Sequence, residues 1–253
     1  MMKSRLPLPL YLQFWDLLLI ELSNWRWGWR NLALTGTVLP VFGILLLGSF
    51  ARELGSYALS FVLIGNLVMA LLFEHMGKMI SHFSYMKMAG SLDYFATLPV
   101  RKTVLIFAAS TAFFILFLPS LVVVLAGGAA ILRLNLQIHP LALVVVPLCA
   151  LPLAGIGALM GVTFRTPEEA SAMGRLLTIL MLTVGPVLIP PDRLPDWLIW
   201  PGFLSPATYA ASALRQVLLG PLTTRLLLDS AVLAVCILVS FWMVDRKMDW
   251  REG

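Results

Sequence analysis

The chain has 253 residues, 60% hydrophobic and only 12% charged, with a mean hydropathy of +0.91 and a formal charge of +5. Ordinary soluble domains carry about 25% charged residues, so this composition excludes a water-soluble globule and makes the bilayer the solvent. Cys149 and Cys236 fall in different apolar runs, which argues against a disulfide. His75, His82 and His139 are scattered, with no cysteine or carboxylate at a metal-ligand spacing.

The N-terminus, MMKSRLPLPLYLQFWDLLLIEL, has the basic start and apolar run of a signal peptide. Asp16 and Glu21 interrupt it and no A-x-A site follows, so it is read as retained. On a helical wheel Gln13, Asp16, Glu21 and Asn24 gather on one arc, with Tyr11, Trp15, Leu18 and Leu22 opposite. That pattern predicts a helix lying in the membrane surface. NWRWGWRN follows, mixing tryptophan and arginine as the headgroup zone favours, and residues 1–31 are expected to form an anchor before the first span.

A spanning helix needs about 20 apolar residues. Six windows of that kind can be drawn, near 32–50, 57–80, 103–132, 141–164, 172–190 and 226–244. None alternates as barrel strands do. The expectation is an all-α membrane protein, with a six-helix domain over residues 32–253. If the spans alternate from inside, only Arg52, Arg133, Arg193, Arg215 and Arg225 of the 18 Lys and Arg fall outside. This bias puts both termini in the cytoplasm. It also accounts for the basic charge without a nucleic-acid partner.

Three linkers carry information. GSLDYFATLPVRK, residues 90–102, follows the second span on the cytoplasmic side. Ser91 is expected to cap a short helix, Asp93 suits its first turn, and Pro99 stops it after about two turns. Leu92, Phe95 and Ala96 share an apolar face that nothing in the loop itself covers, so a membrane surface or a docking partner is expected there. FRTPEEASAMGR holds a helix start at Pro167, Glu168 and Glu169. Residues 190–222, rich in proline and aromatics, are too apolar for a free loop and predict short helices dipping into the outer leaflet or capping the bundle.

The chemistry is sparse. No GxxxxGK[ST] phosphate loop is present, since the one Gly-Lys pair, Gly77 and Lys78, precedes Met79. GxSxG and HExxH are also missing, which disfavours an enzyme. Ion coupling would need costly mid-membrane charges, yet the spans offer only Asn66, Glu74, His75 and, near the outer surface, Asp229. Glu74 is placed to line a cavity or to pair with Lys78 at i+4. Gly157 and Gly161, in GALMG, make a small-xxx-small packing face.

Two motifs carry a resemblance that covers the whole chain. GSLDYFATLPVRK, and FLSPATYAASALRQVLLG at residues 203–220, resemble in order and spacing the signature segments of the permease subunit of an ABC-2 type exporter, which has the type V ABC transporter fold. Ser205 stands where that family commonly has asparagine. The resemblance implies six transmembrane helices, an N-terminal connecting helix from about residue 8 to 24, a cytoplasmic coupling helix near 84–98 and an extracellular re-entrant helical hairpin near 190–222. It implies a dimer of this permease with a second copy or a paralogue, and two copies of a separate ATP-binding subunit holding ATP and Mg2+. No cofactor is implied in this chain. Ser91, Leu92, Asp93, Phe95, Pro99 and Arg101 would couple to the ATPase, with Leu92 and Phe95 buried in its groove. Asn66, Met69, Phe73, Glu74 and Met181 would face the pathway between permeases. Trp197, Pro206, Tyr209 and Arg215 would form an extracellular gate. The implied function is ATP-driven export of an amphipathic drug or lipid-like molecule across an inner membrane, amid membrane lipids. A polysaccharide or glycolipid exporter is the alternative, followed by an ATPase-independent carrier or channel.

Overall fold

The computed structural model describes residues 9–25 and 29–248, and for residues 25 and 29–35 the backbone alone. All of the NWRWGWRN segment but Asn24, expected to anchor the chain, therefore lies outside the described side chains. Every regular element among the described residues is helical: α1 Leu10–Trp25, α2 Trp29–Ala51, α3 Ser56–Leu71, α4 Gly77–Met88, α5 Ser91–Thr97, α6 Lys102–Leu132, α7 Ala142–Thr163, α8 Pro167–Thr183, α9 Asp196–Gly202, α10 Pro206–Leu219 and α11 Arg225–Lys247. A π turn, Leu72–Met76, joins α3 to α4, making a continuous 33-residue helix from Ser56 to Met88. It is longer than the expected 57–80 window. Lys78, Ser81, His82 and Ser84 have ordinary helical backbones, and their polarity ends the apolar run without ending the helix.

Among the described residues five helices are long and apolar enough to cross a membrane: α2, the α3–α4 helix, α6, α7 and α11. The α3–α4 helix lies at the centre, the most buried of the five, whereas α2 and α11 are largely turned outward. α8 differs from the expected 172–190 window. Thr166 caps it by accepting the Glu169 N–H at 3.2 Å, with Pro167 at its first position. It ends at Thr183, and Gly185 turns the chain with φ +96°. Pro186 follows, and a residue before proline is driven out of helical geometry, a break that hydropathy does not register. At 17 residues α8 is about 25 Å long.

Between helices in lipid there is little hydrophobic drive, so close van der Waals packing holds the bundle. Glycines set the contacts. Gly36 and Gly43 admit Glu74 and Asn66 to the face of α2, and Gly128 of α6 admits Leu63 and Ile44. Gly157 and Gly161 of α7 lie against the backbone carbonyls of Met76 and Ile80, which puts the GALMG face inside this chain, packed on the π turn and α4.

α1 packs along α6. Its polar arc is split, with Asp16 and Asn24 exposed and the other two turned into the protein. Gln13 and Glu21 are buried, Glu21 Oε1 lying 3.1 Å from His82 Nε2, while Tyr11, Trp15 and Leu19 are exposed. Leu18, expected opposite Glu21, is buried beside it.

Candidate functional site

Two regions bring together the residues singled out by sequence. The first is the end of the bundle that carries α5. α4 reaches Met88, Gly90 turns with φ +68°, and α5 begins at Ser91. Gly90 holds the N-cap position and Ser91 makes no side-chain cap bond, which corrects the expected capping role. The left-handed turn needed to redirect α4 into α5 favours glycine over any β-carbon residue. The short helix is confined to Ser91–Thr97, with residues 84–88 belonging to α4, so the expected 84–98 helix is narrowed. Asp93 occupies its first turn, and Leu98, in extended conformation before Pro99, ends it.

Leu92, Phe95 and Val100 pack against this chain's own cluster, which includes Phe83, Met86, Leu105 and Ile106. Leu92 and Phe95 are therefore half-buried by this chain, and the face turned outward is Asp93, Tyr94 and Thr97, with Tyr94 64% exposed. Three side chains brace the region. Arg101 gives its backbone N–H to Gln13 Oε1 at 3.0 Å, Lys87 Nζ donates to Val162 O at 2.9 Å at the end of α7, and Lys102 Nζ donates to the carbonyls of Asp245, at 3.2 Å, and Met248. The two lysines satisfy carbonyls that helix C-termini leave without intrahelical partners.

The second region is a cleft of about 730 Å³ between α2, the π turn with α4, and α8. Phe73 and Glu74, both in the π turn, line it. Such bulges are frequent at functional sites. Lys78, one turn on, lines the same cleft together with Arg175 of α8 and Phe42 of α2. Of the other expected pathway residues, Met69 is half-buried behind Gly43, and Asn66 and Met181 are buried. Asn66 Nδ2 donates to Val62 O at 2.8 Å, an i−4 bond within its own helix. Arg175 and Phe42 were missed because neither belongs to a motif. The signal available was that α8 carries one cation in an otherwise uncharged run from Ala170 to Leu182.

At the opposite end, the four expected gate residues do not form one site. Trp197 is 71% exposed on α9, and Pro206 is buried at the first position of α10. The Tyr209 hydroxyl donates to Phe203 O at 2.8 Å, closing the α9–α10 turn. Arg215 lies elsewhere, its guanidinium 3.6 Å from the centre of the Phe61 ring. Burial pulls its pKa down to about 10, so it stays charged at neutral pH. The start of α10 is deep in the bundle, where the Cys149 thiol on α7 approaches Ala210 O at 3.8 Å, and its end meets the α6–α7 loop, where Gln137 and His139 donate to Leu218 and Val217 at 2.9 and 2.8 Å.

Among the described residues, five long apolar helices define a multi-pass membrane protein, with a cleft that mixes charge with aromatics. The chain belongs to the ABC-2 type transporter family, whose model matches residues 12–219, and it is thus a permease of an ABC transporter rather than a catalytic subunit. Comparison with curated proteins finds no match.

Proposed function

We propose that this permease exports an amphipathic, drug-like or lipid-like molecule, driven by a separate ATP-binding subunit. The observation that carries this reading is the cleft formed by α2, α4 and α8, which joins aromatic and aliphatic walls to Glu74, Lys78 and Arg175. An amphipathic cargo needs both surfaces, whereas a glycan would need polar partners along its whole length. α8 is the sixth span in this reading, completed by the non-helical stretch after Thr183. α9 and α10 form a re-entrant extracellular hairpin, supported by the depth of Ala210 beside Cys149 and the return of Leu218 to the α6–α7 loop.

In this reading the α5 end and both termini face the cytoplasm and the protein sits in an inner membrane, an orientation supported by the bias of the basic residues. α5 is then the coupling helix, presenting Asp93, Tyr94 and Thr97 to the ATPase, while Leu92, Phe95 and Arg101 fix its angle on the bundle. α1 is the connecting helix beside the same subunit. A second permease, identical or paralogous, would close the cleft across α2 and α8, and two ATPase copies would bind ATP and Mg2+. The test is reconstitution of the permease with its cognate ATPase in proteoliposomes, following ATP-dependent movement of a fluorescent amphiphile. The expected result is outward transport that stops without ATP. Equal transport with the permease alone would overturn the reading.

A further inference from the structure

The cleft is polarised along the bundle axis. Taking 1.5 Å per residue, Lys78 stands about 33 Å along its helix from Ser56, against a hydrocarbon thickness of about 30 Å. It therefore lies at the membrane boundary on the α5 side. Gly174 of α8 touches the Ile80 side chain, which sets Arg175 at the level of Lys78. Glu74 lies one turn nearer the membrane centre, packed against Gly36. Beyond it the walls are apolar. α2 runs antiparallel to α3, with Gly36 against Glu74 and Gly43 against Asn66, so Leu39 and Phe42 continue the surface begun by Phe73 toward the centre.

Among the described residues two cations and one carboxylate give the cleft lining a net charge of +1, with both cations at headgroup depth. A cationic amphiphile would gain Glu74 and be repelled by Lys78 and Arg175 before reaching it. An anion meets the two cations first. Resting on the transport reading above, we propose that the cleft receives an amphiphile with an anionic headgroup from the leaflet on the α5 side, its phosphate or carboxylate against Lys78 and Arg175 and its tail along Phe73, Leu39 and Phe42. The volume of about 730 Å³ lies within the usual range for small-molecule sites, roughly 300–1,000 Å³.

The experiment needs neither ATP nor a partner. Purified permease in phosphatidylcholine nanodiscs is photolabelled with diazirine-tailed phosphatidic acid, the corresponding fatty acid, phosphatidylcholine or an acyl amine, and labelled peptides are mapped. The expected result is preferential labelling of α2 and the Phe73 region by one or both acidic probes, where a preference between them separates a phospholipid from a free acid. R175Q and the K78Q/R175Q pair should reduce acidic labelling about tenfold, with phosphatidylcholine labelling and elution volume unchanged. R246Q, at the far end of α11, should leave it unaltered. Equal labelling by phosphatidic acid and phosphatidylcholine, stronger labelling by the amine, or insensitivity of the acidic probes to R175Q would overturn the proposal. Acidic labelling without ATP-driven transport would leave this site standing and remove the transport reading. ATP-driven transport with labelling by the amine alone would do the reverse.

Discussion

The side chain of Gln13 accepts the backbone N–H of Arg101 at 3.0 Å, tying α1 to the residue that caps α6. In a capping box a glutamate or glutamine three residues into the same helix satisfies this N–H. Here a different helix provides the acceptor, and with Glu21 and His82 at 3.1 Å it fixes α1 at two points about two turns apart. Gln13→Ala leaves a sheltered donor without this partner, at a cost of about 1–3 kcal/mol. We expect a melting midpoint in detergent lower by about 2–4 °C per kcal/mol, and much less change for Gln13→Glu, which keeps an acceptor. Equal melting of the alanine variant and the wild type would show that this bond contributes nothing.

The direction in which α5 faces makes a second prediction. Tyr94 is exposed and Leu92 is packed on the chain's own cluster, so the two should fail differently. Tyr94→Ala should leave thermal stability within about 0.5 kcal/mol of wild type, as exposed substitutions do. It should weaken co-purification of the ATPase about tenfold, equivalent to about 1.4 kcal/mol and modest for an interfacial tyrosine. Leu92→Asp should instead lower the melting temperature of the permease alone. If Tyr94→Ala binds ATPase normally while Leu92→Asp melts normally and does not bind, the inward assignment of Leu92 is wrong.

The α5 segment shows what sequence could and could not deliver. Asp93, Pro99 and the apolar set at Leu92, Phe95 and Ala96 define the helix through local chemistry, and it forms where they place it. Which side of that set is covered depends on Phe83, Leu105 and Ile106, brought in from two other helices, and no local pattern encodes that. The long apolar runs were legible for the same reason as α5. The end of α8 was not, because hydropathy treats Val187 and Leu188 as more helix while Gly185 and Pro186 break the backbone. Glu74 was visible as an isolated charge in an apolar run. Arg175 became meaningful only when α8 came to rest against α4 through Gly174.

Gly157 and Gly161 give a sharper stability test. A β-carbon on Gly157 would lie 2.5 Å from Met76 O and 2.9 Å from Met79 Cβ, and one on Gly161 would lie 2.8 Å from both Ile80 O and Phe83 Cβ. Two of these obstacles are backbone oxygens on a central helix, so relief requires α7 to move away. Alanine at either position should destabilise by about 1–3 kcal/mol. Gly127 of α6 has nothing within 4 Å of such a carbon, and Gly127→Ala should be neutral or stabilise by about 0.5–1 kcal/mol through helix propensity. Unfolding in mixed micelles would compare all three, and an equal loss for Gly127→Ala and Gly157→Ala would remove close approach as the cause.

Arg215 and Phe61 join α10 to α3 at the end opposite α5. The guanidinium carbon lies 3.6 Å from the ring centre, Phe61 is only 3% exposed, and the Nε and Nη2 atoms of Arg215 are buried with no hydrogen-bond partner among the described residues. The ring face thus compensates a sheltered cation alongside the electrostatic contributions of Asp229 and Tyr57, and desolvated pairs of this kind reach about 2 kcal/mol. Removing one member should therefore cost more than removing both. Phe61→Leu leaves the cation against an aliphatic surface, whereas Arg215→Met with Phe61→Leu leaves two apolar groups in contact. A double-mutant cycle in micelles should return a coupling of about 0.5–2 kcal/mol. A coupling indistinguishable from zero would mean that Arg215 is held by packing of its aliphatic stem and that the ring contributes surface alone.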